Sequence, residues 1–290
     1  MNRTIPVGAS VLVACCAALI AATKPTAEDL IKRHREEGLN SAVLAAGQVR
    51  EVRGSAQLTT PAKAVGALAG SFHVTSTPGS SRVTLQFKTD LYEGETWATD
   101  GQDVEIGFAQ PRTSSRSALG VFLSVNTPIV GEGLLGGVLN ARWPLLDVAG
   151  RGAKVSSEGL KKLGGRDLYR LRYRASQHQG PLDVLIFLEP DTYRHVATVY
   201  TTSQAQGMGL TPESSSQQQD QVFRLEEWFS DFERFGAITI PKTWTLDYER
   251  SGNTTSEWKY ELRLEHYEEH EQKAGRPGRI VSLTPPPYIG

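Results

Sequence analysis

Two stretches of the 290-residue sequence carry spacings that chemistry uses. His266-Tyr267-Glu268-Glu269-His270 fits H-x-x-E-H, the spacing of inverted zinc peptidases. That chemistry needs both imidazoles on one helix face, a third ligand and an open coordination position. Here His266 continues the alternating face of Trp258, Tyr260, Leu262 and Leu264, so the pattern predicts a strand end and no zinc site. Gly131-Glu132-Gly133-Leu134-Leu135-Gly136 matches G-x-G-x-x-G, which brings backbone amides close to a pyrophosphate when a parallel strand precedes it. Pro128 stands just upstream and an antiparallel series follows, so these glycines are expected to serve a turn and close packing. His34, His73, His178 and His195 are scattered, and His34 falls on an apolar helix face as a satisfied, partly buried residue. No G-x-S-x-G elbow, S-x-x-K pair or Walker loop occurs. No catalytic residue, metal site or cofactor is therefore assigned.

Composition narrows the partners. Lys and Arg number 31 against 32 Asp and Glu, so the chain lacks the cationic excess that a nucleic-acid binder uses to displace counterions. Both cysteines, Cys15 and Cys16, lie in an N-terminal apolar run, which leaves the body without disulfides or thiolate sites. Arg3 followed by uncharged Ile5 to Thr23 has the layout of a secretory signal, ending near Ala22. Two alternatives share that stretch. Leu12-Val13-Ala14-Cys15 fits a lipobox with Cys15 lipidated, and the apolar run, at about 1.5 Å per residue, is long enough for an uncleaved anchor. Each places the body outside the cytoplasm, in the periplasm or cell envelope.

The elements that must position any site are mostly strands. Thr26 to His34 predicts one amphipathic helix with an acidic first turn, and Asn40 a second short turn through Ala46. From Gln48 the period becomes two. Val83, Leu85, Phe87 and Leu91 face one side while Arg82, Gln86, Lys88 and Asp90 face the other, which describes a sheet with one wet face. Strands are also predicted through Phe72, Trp97, Ile106, Leu171, Trp244 and Leu262. Val184 to Leu188 is apolar on both faces, so its outer side needs cover. Roughly ten or eleven strands in up-and-down order result. Arg170, Arg172 and Arg174 form a row that reads either as an anion-attracting patch or as a solvated strand face among acidic neighbours. Residues 116–148 break the alternation; they are rich in Leu, Val and Gly and predict an apolar helical insertion through Phe122, Leu134, Leu135, Leu139 and Trp143. Residues 203–220 are Gln- and Ser-rich and predict a mobile loop, and residues 273–290, with Pro285-Pro286-Pro287, an extended tail. The remainder, 23–272, reads as one β domain.

Asp29-Leu30-Ile31-Lys32-Arg33-His34 through Val49-Arg50-Glu51-Val52-Arg53-Gly54, with Ser230-Asp231-Phe232-Glu233-Arg234-Phe235-Gly236 and Ile238-Thr239-Ile240-Pro241, resembles the LolA/LolB-like lipoprotein-localisation superfamily. The resemblance implies a mainly β fold with covering helices: a single large curved antiparallel sheet, an unclosed β-barrel, under an apolar helical lid. It also implies a non-catalytic, carrier-like role toward a hydrophobic small molecule, lipid or lipoprotein, or in the alternative an interaction or sensor module for an envelope protein partner. Val83, Leu85, Phe87 and Leu91 would then line the sheet side of a ligand cavity, and Phe122, Leu134, Leu135, Leu139 and Trp143 the lid side.

Overall fold

The computed structural model describes residues 24–39, 48–61, 66–89, 92–109, 116–176, 180–204, 220–235, 238–252 and 254–271. The signal region with Cys15, the turn after Asn40, Leu91, the segment 205–219 and the tail lie outside the described residues.

The first arm of the sheet comprises β1 (Gln48–Thr59), β2 (Ala67–Ser76), β3 (Ser81–Phe87), β4 (Gly94–Thr99) and β5 (Val104–Phe108). The second comprises β6 (Lys154–Leu163), β7 (Arg166–Arg174), β8 (Asp183–Leu188), β9 (His195–Gln204), β10 (Gln221–Phe235), β11 (Ile238–Ser251) and β12 (Ser256–Glu271). Each arm is an antiparallel meander, and the two join where β1 pairs with β12. One sheet of 12 strands results, in the order β5-β4-β3-β2-β1-β12-β11-β10-β9-β8-β7-β6. Its edges, β5 and β6, do not pair, so the sheet is not closed.

That order dictates the rest. β5 and β6 follow one another in the chain yet stand at opposite edges, so the connection must traverse the whole face. It does so through α2 (Ala118–Val125), α3 (Pro128–Gly131) and two single 3₁₀ turns at Gly137–Leu139 and Pro144–Leu146. This is the apolar helical segment expected between 116 and 148, and it packs its Leu, Val and Trp side chains into the inner face as one core with both arms. The N-terminal helix α1 (Ala27–Arg33) starts where expected, with the Thr26 hydroxyl accepting from the Asp29 amide at 3.1 Å. It continues into one π-helical turn, His34–Gly38.

Two details differ from the sequence reading, and the expected cover of β8 is met from within the sheet. The strand count is 12 because β6, with the polar sequence KVSSEGLKKL, is a strand without clean alternation. A bulge between Ser157 and Gly159 explains this, since one extra residue reverses the faces. β8 is covered on its outer side by the sheet's own side chains: Phe187, Leu168 and Val199 pack there against Leu163, Trp228 and Phe232. H-x-x-E-H lies fully inside β12, which runs on to Glu271.

Gly54 marks the seam between the arms. The register slips beside it, and a Cβ there would stand 1.9 Å from the Arg263 carbonyl oxygen and 2.7 Å from the Phe72 ring. Backbone cannot yield there without breaking the β1–β12 ladder. Gly54→Ala is accordingly expected to destabilise the protein by about 2 kcal/mol or more, read as a lowered urea midpoint with an unchanged slope.

Candidate functional site

The sheet–cover interface gathers the residues singled out by the sequence. Val83, Leu85 and Phe87 of β3 meet Phe122, Leu134, Leu135, Leu139 and Trp143 of the cover in one continuous core, each at most 4% exposed. They are packed on one another, and the larger open volumes lie at the margins of this core.

The crossing segment pairs most of its amides within its own short turns, and buried polar groups from both arms take several of those left over. On β4, Glu95 accepts from the Ser117 amide at 2.6 Å and from its hydroxyl at 2.7 Å, at the start of α2. Only glycine fits over that carboxylate, because a Cβ on Gly120 would stand 2.2 Å from it. Burial pushes the Glu95 carboxyl up, against the Ser117 hydrogen bonds that favour its charge. On β1, the Arg50 guanidinium donates to the Val138 carbonyl at 2.6 Å and is held by Glu269 of β12. Arg142, within the cover, donates to the Gly79 carbonyl in the β2–β3 turn at 2.6 Å and back to Gly131 at 2.9 Å. The Tyr173 hydroxyl of β7 donates to Glu132 at 2.8 Å.

The centre of the interface is held by Glu227 of β10, which has no exposure at all. One of its oxygens accepts from the Gly136 amide of the cover at 2.8 Å and from Trp244 Nε1 of β11 at 3.0 Å. The other accepts from the Tyr200 hydroxyl of β9 at 2.5 Å. Burial pushes its carboxyl up from 4.5 to about 7, against these three bonds. Beside it, Trp143 stacks on His195 with centroids 4.3 Å apart, and its Nε1–H donates to His34 Nε2 at 3.0 Å. Because indole only donates and a carbonyl only accepts, His34 carries its proton on Nδ1 and gives it to the Tyr193 carbonyl at 2.8 Å. Burial lowers His34 to about 4, so it is a neutral structural link, as its helix position suggested, though fully buried.

The G-x-G-x-x-G segment belongs here. Gly133 and Gly136 have φ of 70° and 84°, and the amide of Gly136 serves Glu227 instead of a phosphate. Two members of the arginine row are paired on the strand face, since Arg170 and Arg172 both bond Glu158 and Arg172 also bonds Asp183, while Arg174 is exposed. Among the described residues no group of three His, Cys, Asp or Glu is placed to hold a metal.

A groove of about 1010 Å³ opens between α1 and residues 145–155. Ala27, Ile31, Leu145, Leu146, Val148 and Val155 give it an apolar lining, with Lys32, Arg35 and Lys154 among its charged residues. Leu146 also lines a separate void of about 10 Å³, at most one water in size, beside Val138, Trp143 and Ile240. A second hollow of about 450 Å³ reaches Leu134 past Pro128 and Tyr173.

Fold and site thus define a β protein with one unclosed antiparallel sheet curved over an apolar cover that buried polar groups hold in place. No protein-family model matches the chain, and no curated protein matches it significantly. Among solved structures it is similar to a LolA superfamily protein from Nitrosomonas europaea, at 14% identity and a TM-score of 0.43, over 83% of this chain and 94% of that one. It is also similar to a DUF1329 family protein from Desulfovibrio piger, at 11% identity and a TM-score of 0.40, over 82% and 90% of the two chains. The superfamily that the sequence resembles is therefore represented among these structures; at such scores nothing about ligand or activity passes from them to this chain.

The Trp143 link gives a direct test of the anchoring. Trp143→Phe keeps the ring stacking on His195 but leaves His34 Nε2 buried without a donor. The expected cost is about 1–3 kcal/mol in denaturant unfolding, and a change within error would contradict the described bond.

Proposed function

We propose that this chain is an exported, non-catalytic binding protein of the cell envelope that holds one hydrophobic ligand, an acyl chain or the lipid part of a lipoprotein, between its sheet and cover. The observation that carries this reading is the groove beside α1, at the margin of the sheet–cover core, with Leu146 lining both the groove and the small void at Trp143. Its volume of about 1010 Å³ stands at the top of the range that small-molecule sites occupy. An acyl chain that buried about 14 CH₂ groups would gain roughly 11 kcal/mol gross. Part of that gain offsets cover contacts that the chain must displace, and part the cost of ordering it.

Val83, Leu85, Phe87, Phe122, Leu134, Leu135, Leu139 and Trp143 are the surfaces such a ligand would separate. The separation is feasible because the cover is a string of short turns, so it can shift piecewise without unzipping a strand. Non-catalytic binding agrees with the use of Glu95 and Glu227 on cover backbone, which leaves neither carboxylate free for a substrate. A second reading, recognition of a protein partner without lipid, draws on Val121 and Val125, which stand 52% and 76% exposed one turn apart on α2.

Native mass spectrometry and lipid extraction of the purified protein are expected to show one bound amphiphile, with a fluorescent fatty acid displacing it. The double variant Ile31→Glu/Val148→Glu, at two half-buried groove positions, should weaken fatty-acid binding by about tenfold or more at an unchanged melting temperature. No retained amphiphile and no binding would sink the reading and favour the protein-partner alternative.

A further inference from the structure

Two buried carboxylates hold the cover, and they are not equivalent. Glu95 meets a backbone amide and a hydroxyl at the start of a helix, and Arg116 lies near enough to favour its charge. Glu227 has no such compensation: among the described residues, none of the groups acting on it is a cation. The titratable groups facing it are Tyr200 of β9 directly and, further along, His195 of β9 and His34 beside Trp143, with both imidazoles held neutral by burial. Trp244 of β11 and Gly136 of the cover bring none, and Arg50 of β1 is spent on Glu269.

The neutral acid has a place for its proton. Tyr200 lies 2.5 Å from one Glu227 oxygen, and its hydroxyl can turn to Thr198, which in turn stands 2.7 Å from His195 Nε2. Protonated Glu227 therefore donates to Tyr200 and still accepts from Gly136 and Trp244 through its other oxygen. The carboxyl itself keeps all three of its partners. Deprotonated, it is a full charge at the centre of an apolar interface, and the element nearest to it that can move aside and admit water is the cover.

We propose that Glu227 is a proton-operated latch: the cover is seated while this carboxyl is neutral, and it lifts at Gly136 when the proton is lost to water. The sign follows from linkage. A carboxyl held at about 7 under the cover, but near 4.5 once solvated, binds its proton more tightly in the seated form. The seated form is therefore favoured in full below about 4.5, and the advantage is gone once the pH has risen through about 7. If the binding reading above holds, the latch regulates that same site, with faster ligand exchange on the alkaline side.

Hydrogen–deuterium exchange of the full chain tests this without any ligand. Protection factors of peptides spanning 134–146, referenced to the β1–β12 ladder, are expected to fall about tenfold between about pH 6 and pH 8. In E227Q, whose amide can stay seated at every pH, they should remain flat. A flat wild-type profile, or an E227Q profile that falls like the wild type, overturns the proposal. Should E227Q fail to fold, Tyr200→Phe removes a donor to the carboxylate and must move the fall to higher pH; an unmoved midpoint overturns the latch equally. Fatty-acid binding measured in parallel separates the two ideas: a titrating cover with no binding leaves the latch and removes the carrier reading, and binding over a flat cover does the reverse.

Discussion

The structure depends on one topological constraint: β5 and β6 are consecutive in the chain and lie at opposite edges of the sheet. The crossing between them cannot pair with either arm's strands and cannot avoid the inner face. It must therefore be apolar enough to bury, and each amide and carbonyl that its own short turns leave unpaired must find a partner on the sheet. Long-range side chains fill that need. Glu95 serves Ser117, Arg50 serves Val138, Glu227 serves Gly136, and Arg142 reaches across to the β2–β3 turn.

This solution has a consequence for dynamics. A β-strand is held by a ladder that opens cooperatively, whereas the cover is held to the sheet by apolar packing and by separate polar points, each dependent on one side chain. Its buried apolar residues share one core with the concave face, so lifting costs them that contact. The balance at each polar point is set by the protonation and pairing of a buried group, and at Glu227 burial opposes the charge with no cation among the groups acting on it. A binding surface that must open without unfolding its scaffold is well served by that arrangement.

Much of this was legible in the sequence because the sheet alternates so plainly. β3 and the regions of β7, β11 and β12 follow from period-two patterning, and 116–148 stood out as apolar without that period. β6 was not legible, because its bulge at Gly159 reverses the faces midway. The anchors were not legible either, since Glu227 and Gly136 are 91 residues apart and no local spacing joins them. A signal did exist: Glu227 shares its parity with buried Leu225 and Phe229, and Glu95 with buried Trp97. A lone acid on an apolar strand face is costly unless it is paired, so those two positions marked the inner contacts of the cover. The glycines at 131–136 were rightly read as packing and turn residues, but their service to a carboxylate needed the fold.

The central claim, that the cover separates from an otherwise intact sheet to admit an apolar ligand, is tested most directly by a distance measurement. Spin labels at Val125→Cys, on the exposed side of α2, and at Lys259→Cys, on β12, with Cys15 and Cys16 replaced by serine, report on cover and sheet. Pulsed dipolar spectroscopy should give one narrow distance in the free protein and a second, longer population when a fatty acid is bound. A single unchanged distance in protein shown to be loaded would contradict it.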